Sequence, residues 1–242
     1  MRILFESPDF VAIDKPPGLA TVPGRGETDS ALEQLARQLN LPCRGNQDPR
    51  VRVVHRLDKD TSGVLLFARH VAAQRHLSPQ FQNNLVEKEY LALVRGHPAE
   101  PSGVIEAPLS VHPTDPARMT VSRRGRPART TWQIGQSFGR YSLLRCLPET
   151  GKTHQIRVHL AHIGHPLVVD PLYGSAGGLM LSSFKRGYRP KPGEPERPLI
   201  ARLTLHARKL AFRDLQGQRM EIHAPLPKDF RAALNMLAKY SR

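Results

Sequence analysis

The sequence predicts an α+β fold: a mixed, mostly antiparallel sheet with flanking helices. Three observations predict it. Apolar, β-rich runs come in closely spaced pairs separated by turn residues, the pattern of hairpins. One run, Val64-Leu65-Leu66-Phe67-Ala68, is unbroken and follows a glycine, as in a strand buried on both faces. Between the paired runs lie segments whose apolar residues recur at helical spacing. The chain has 242 residues, of which 39% are hydrophobic and 24% charged, enough for one domain with an ordinary core. One domain over 1–242 is expected, divisible into two lobes.

In chain order, Ile3-Leu4-Phe5 and Phe10-Val11-Ala12-Ile13 flank Ser7-Pro8-Asp9 as a short hairpin. Two prolines and a glycine in Asp14-Lys15-Pro16-Pro17-Gly18-Leu19 fix an irregular loop. Ser30 and Glu33 form a capping box, and Leu32, Leu35, Ala36 and Leu39 make one apolar face, so a helix is expected from Ser30 to Asn40. Val51-Arg52-Val53-Val54 reads as a strand. Residues 70–84 read as helical, with Pro79 interrupting or ending the first part. Lys88 to Val94 is a strand with strong β character. Residues 110–130 are irregular and basic, with Arg118, Arg123, Arg124, Arg126 and Arg129 and no acid after Asp115. Arg129 to Phe138 and Tyr141 to Leu147 are two strands joined near Gly139. Ile156, Leu160 and Ile163 mark a helix that Gly164 and Pro166 end. Residues 175–198 are rich in Gly, Ser and Pro with interspersed cations, and a flexible basic insertion is expected there. Leu203 to Ala207 begins a strand. Pro227 to Tyr240 is an amphipathic helix with Phe230, Leu234 and Leu237 inward.

The formal net charge of +15 points to a polyanionic partner, either nucleic acid or an anionic membrane surface. No apolar run approaches the roughly 20 residues of a membrane span. Glu6 and Asp9 fall inside the first apolar stretch, unlike a secretory signal. Two distant cysteines, Cys43 and Cys146, form neither a disulfide framework nor a zinc site, and a reducing cytoplasm is the simplest setting. Gly151-Lys152-Thr153 is no phosphate-binding loop, because Cys146 stands where the first glycine is needed. His154, His159, His162 and His165 lack a carboxylate or cysteine at ligand spacing, and on a helix only His159 and His162 share a face. No metal site is expected.

The chain is organised around His55-Arg56-Leu57-Asp58-Lys59-Asp60-Thr61-Ser62-Gly63 and the buried strand that follows. Asp58 is thereby expected on a loop held between two strands, a common place for working residues. Residue by residue, the loop suits a solvated turn equally well. As a whole, HRLDKDTSGVLLFAR resembles the signature of the RluA-type RNA pseudouridine synthases. The resemblance implies that Asp58 is the catalytic carboxylate. The family's other motifs follow in order. DKPPG at 14–18 resembles the first, near the catalytic cleft, and Lys15 is expected to touch RNA. Lys88-Glu89-Tyr90 resembles the K-x-Y block, which implies that Tyr90 lines the site against the target base. Thr150-Gly151-Lys152-Thr153-His154-Gln155-Ile156-Arg157-Val158-His159 resembles the third motif, which implies that Arg157 pairs with the catalytic aspartate. Gly164 to Leu167, Asp170 and Tyr173-Gly174 continue the match, and Leu203-Thr204-Leu205-His206-Ala207 resembles a block bordering the site, where His206 is read as structural.

The resemblance implies the pseudouridine synthase fold with a central cleft, and isomerisation of uridine within ribosomal or transfer RNA stem-loops. Asp58 would attack C1′ or C6, or deprotonate the sugar on a glycal route; the three stay open. Arg56 is the candidate to fill the gap left by the flipped base. Arg123, Arg124 and Arg126 are expected to bind phosphates. No cofactor is implied, and a monomer acting away from membranes is expected. Many relatives carry an N-terminal S4-type RNA-binding domain; with the first motif beginning by residue 14, none is expected here. Three rivals compete: an RNA-binding protein without catalysis, a nucleoside hydrolase using Asp58 and Asp60, and a metal nuclease built on the histidines.

Overall fold

The computed structural model describes residues 1–24, 29–190 and 193–241 of the chain. The elements follow the sequence pattern closely. Strands β1 (Arg2–Glu6) and β2 (Phe10–Lys15) form the first hairpin, with Ser7 Oγ accepting the amides of Asp9 and Phe10 at its turn. Helix α1 (Ala31–Gln38) starts at Ser30, whose hydroxyl accepts the Glu33 amide as the capping box requires. Strand β3 is only Arg52–Val53, shorter than the expected 51–54, because the chain leaves β4 (Ser62–Ala68) after Val53 to make the aspartate loop. Every residue of β4 is buried, as a strand covered on both faces must be.

Helix α2 (Val71–Gln82) runs through Pro79 instead of stopping there. The proline falls in the last turn, so it costs only the bond its missing N–H would have made to the carbonyl of Arg75. Strands β5 (Glu87–Arg95) and β6 (Ser102–Glu106) come next. The basic stretch expected to be irregular contains a small hairpin of β7 (Leu109–Val111) and β8 (Met119–Val121). Strands β9 (Arg129–Phe138) and β10 (Tyr141–Pro148) meet at a tight turn of Gly139 and Arg140. Helix α3 (Gln155–His162), strands β11 (Leu205–Arg213) and β12 (Arg219–His223), and helix α4 (Lys228–Tyr240) complete the chain.

These elements group into two compact units. The first comprises residues 1–89 and 206–225, the second residues 90–205 and 226–242. In the first, strands run in the order β1-β2-β4-β11, with β12 beside β11 and β3 beside β4. The pairings are antiparallel except that of β4 with β11, where His206 meets Ser62 and Ala207 meets Gly63. Gly63 is required at that meeting: its φ is +118°, and a Cβ there would lie 2.1 Å from the Ala207 carbonyl oxygen. Phe10, Val64, Leu66, Leu77 and Phe212 form this unit's core, with α2 against β4.

In the second unit β5, β10, β9 and β6 are antiparallel neighbours. One core, around Leu144, Trp132, Ile156 and Leu160, seats α3. A second, around Phe138, Phe230 and Leu237, seats α4 on the face read from its sequence. Arg202 clamps the first turn of α4 through a two-bond pair to Asp229 at 2.8 and 2.9 Å. The α+β class with mainly antiparallel strands is therefore observed in both units.

The 175–198 segment contains Lys191 and Pro192, which lie outside the described residues. Its described part is tied down at several points. Leu179 is buried and exchanges backbone hydrogen bonds with Leu199 and Ile200, a 3-10 turn covers Leu181–Ser183, and Glu196 accepts the Ser182 amide.

Candidate active site

In the first unit the aspartate loop leaves β3 at Val53 and returns at Ser62. Four side chains fix its path. The Thr21 hydroxyl accepts the Leu57 amide at 3.1 Å and donates to the Leu57 carbonyl at 3.0 Å, satisfying both backbone groups of the residue before Asp58. The Asp58 carbonyl accepts the Thr61 amide, closing a turn directly after it. Ser62 Oγ lies 2.9 Å from His206 Nδ1, a buried pair that locks the loop's exit and gives His206 the structural part expected of it.

Lys15 departs from expectation. It is fully buried, and its ammonium donates to the carbonyls of Pro16, Leu19 and Lys59 at 2.7–2.9 Å. A buried ammonium needs its three N–H groups satisfied, so Lys15 does not reach RNA. It ties the proline loop to the residue after Asp58. Asp58 itself is half-buried, and Arg56 is exposed two positions before it on the same loop.

His55 supplies the fourth tie. Its Nε2 accepts the Leu66 amide at 3.0 Å, taking a β4 donor beyond the point where β3 ends. Accepting at Nε2 places the ring proton on Nδ1. The ring stacks on Phe81 with centroids 4.3 Å apart. Burial, reinforced by the charge of Lys88, pushes its pKa down to about 3. The unfolded chain, with its histidine near 6.5, takes up a proton first as pH falls. The tie's stabilisation is thus complete above pH 6.5 and is lost as pH drops toward 3. A His55→Gln variant is expected to flatten the pH profile of stability across that window, by at most about 1.4 kcal/mol per pH unit. Urea midpoints measured from pH 7 to 4 check it; identical slopes in the two proteins would refute it.

The second unit carries Tyr90, Arg157 and the hairpin arginines. Tyr90 stands half-buried on β5, opposite Cys146 of β10. Arg157 projects from the first turn of α3 and is 6% exposed. Its Nε and one terminal nitrogen each donate to a carboxylate oxygen of Asp170 at 2.8 Å, and Asp170 is fully buried. Asp170 Oδ1 also accepts the amides of Leu172 and Tyr173. This pair uses two of the five N–H groups that a guanidinium carries. Asp170 closes the apolar run Leu167-Val168-Val169. A lone acid at such a place is a signal that a buried cation is near, but not which one.

The helix that carries Arg157 is set by buried polar contacts. Gln155 accepts from Thr150 and the Lys152 amide, and donates to the Arg129 carbonyl and Thr130. His159 is buried between Thr130 and the Ala107 carbonyl, both 2.9 Å away, and burial lowers its pKa. Its ring nitrogens are thereby engaged in holding α3 to β9. Among the described residues no cluster of three or more His, Cys, Asp or Glu is placed to hold a metal ion.

Tyr173 lies beside Arg157. Its hydroxyl accepts the Met119 amide at 2.7 Å and lies 2.8 Å from His154 Nδ1. The guanidinium carbons of Arg157 and Arg118 sit 5.1 and 5.5 Å from its ring centroid. Burial raises the phenol's pKa, so the hydroxyl keeps its proton. Of the basic run, Arg123, Arg124 and Arg126 are exposed around the turn after β8, whereas Arg129 is paired with Glu106 and Glu149. Sequence alone counted Arg129 with the others, because its acidic partners come from neighbouring strands.

Residues 9–162 match the family model described as RNA pseudouridylate synthase. The chain belongs to this family. Curated relatives agree: it is 41% identical to a protein of Nitrosomonas europaea over 98% of this chain and 65% of the relative. It is 37% identical to one of Haemophilus ducreyi over 95% of this chain and 68% of that protein, and 38% identical to one of Escherichia coli K12 over the same shares. All three are named ribosomal large subunit pseudouridine synthase D. The chain spans about two thirds of the length of these relatives. Two solved human structures, of RNA pseudouridylate synthase domain containing 1 and 4, share 27% and 26% identity. They cover 93% and 98% of this chain, and are themselves covered over 83% and 93%, with TM-scores of 0.70 and 0.71.

Proposed function

We propose that this chain isomerises uridine to pseudouridine in large-subunit ribosomal RNA, with Asp58 as the catalytic carboxylate. The reaction is an internal rearrangement: N1–C1′ breaks, the uracil turns, C5–C1′ forms, and the C5 proton is lost as N1 regains one. No electron acceptor or co-reactant enters, which suits a chain of side-chain chemistry alone. Attack at C1′, attack at C6 and sugar deprotonation all require an ionised carboxylate held still. Arg157 would supply the cation that pairs with that carboxylate, and Tyr90 would stack on the base, worth roughly 1–3 kcal/mol. Arg56 would fill the gap left by the flipped nucleotide.

One observation carries the reading. Asp58 sits, half-buried, on a loop tied by Thr21, Lys15 and His55 to the rest of its unit. A solvated acidic turn needs no such anchoring, and a merely RNA-binding protein gives no reason to fix a carboxylate in a basic chain. The choice of ribosomal RNA follows the names of the relatives. Pseudouridine mapping of large-subunit RNA from cells lacking the protein tests it: one or more sites should vanish and return with the wild-type gene. An unchanged map would refute it.

The exposed Arg123, Arg124 and Arg126 are proposed to contact phosphates. Replacing all three with alanine should weaken binding to a large-subunit RNA fragment and lower the slope of log affinity against log salt by about 2, or about 0.7 per contact for single strands. Anisotropy titrations at several salt concentrations measure this. An unaltered slope would place the RNA grip elsewhere.

A further inference from the structure

We propose that Tyr173 is a positioning residue that couples the arginine-bearing β7–β8 hairpin to Arg157, so that RNA held by the hairpin sets the catalytic arginine. The inference rests on the proposed reaction and adds a residue to it. Four observations converge on this side chain. Its hydroxyl holds the hairpin at the first amide of β8 and, through His154, the residue at which α3 begins. Its ring lies beside both Arg118 of the hairpin connection and Arg157 of α3. Its own amide is fixed by the carboxylate that also grips Arg157. His154, finally, has φ +55° with no side-chain cap to the helix. A non-glycine residue in that region is strained and persists only where its surroundings hold it; the bond to Tyr173 is one such hold.

The consequences follow from charge and geometry. Arg118 and Arg157 are like charges sharing one aromatic ring. Among the described residues Arg118 Nε is buried without a hydrogen-bond partner, and its guanidinium lies against the ring. A phosphate that draws Arg118 or its hairpin outward must pull on Met119, and hence on the Tyr173 hydroxyl, while relieving repulsion at Arg157. Binding energy collected by the hairpin is thereby spent on the reacting centre and appears in kcat.

The test is a double-mutant cycle in the full chain, using a transcript of large-subunit RNA. In the wild-type background, Arg123→Ala with Arg124→Ala should raise KM and lower kcat. Tyr173→Phe keeps the ring but removes both hydroxyl contacts; it should lower kcat about 10-fold, a typical coupling, with KM within twofold and Tm nearly unchanged. Added to Tyr173→Phe, the arginine changes should raise KM alone. Additive losses of kcat, or a Tyr173→Phe enzyme as fast as wild type, would overturn the proposal. His154→Asn, which tolerates the left-handed backbone, should lower kcat in the same direction while leaving the fold intact. A readout independent of turnover separates this inference from the activity itself: the Arg157 Nε–H resonance should shift on adding RNA to wild type and stay put in Tyr173→Phe. The same shift in both proteins refutes the coupling, whereas wild-type protein that shifts but makes no pseudouridine refutes the assigned reaction only.

Discussion

Asp58→Asn should abolish pseudouridine formation, lowering the rate by roughly 10⁴-fold or more, as removal of a covalent or charge-stabilising group does. The substitution is isosteric; it removes the charge and exchanges one acceptor oxygen for an NH2 donor. Ties that do not involve that carboxylate hold the loop's path: Thr21 holds both backbone groups of Leu57, Lys15 holds the Lys59 carbonyl, and His55 holds β4 beyond the end of β3. The melting temperature and the affinity for RNA should therefore stay close to wild type. Mass spectrometry of the RNA after incubation reads the result, and chromatography of the small-molecule fraction reads whether free uracil is released. Substantial turnover by Asp58→Asn would remove the carboxylate from the mechanism. Uracil released by the wild-type protein would replace isomerisation with hydrolysis.

The second large effect is on stability. Asp170→Ala should cost about 3–5 kcal/mol, because it takes a two-bond carboxylate partner from a guanidinium that is already out of water. Arg157 loses two charge-assisted bonds, and the amides of Leu172 and Tyr173 lose their acceptor. For a chain of this length each kcal/mol moves Tm by about 2–4 °C, so a fall of the order of 10 °C is expected. Asp170→Asn should fall between the two, since its amide oxygen can still accept. Activity should drop with either change even below the melting transition, as Arg157 loses its aim. Urea and thermal melts measure the first part; a loss below about 1 kcal/mol, smaller than even one charged hydrogen bond is worth, would mean the pair is not the buried clamp its geometry indicates.

Where local signals suffice, the fold was legible. The capping box at Ser30, the 64–68 apolar run, the turn at Gly139 and the apolar face of α4 each report on a few neighbouring residues, and each element stands where they put it. Pro79 was misread because a proline's cost depends on its distance from the helix end, which periodicity does not define. Lys15 was assigned to RNA on the strength of its charge and place, yet its neighbours in space include Lys59, 44 positions away. Arg129 was counted with its basic run although two acids from adjacent strands neutralise it.

By itself, the sequence determined the α+β class, the order of the strands and helices, the basic surface and the family, since these rest on periodicity, composition and contiguous motifs. Only the tertiary structure decided that Asp170 and not solvent meets Arg157, that His55 serves β4 as an acceptor, and that Tyr173 joins a hairpin to a helix. Those are pairings of a side chain with another side chain or a backbone amide 11 to 54 positions away. A hydrogen bond is won at about 3 Å, and only the packed chain fixes which groups come that close.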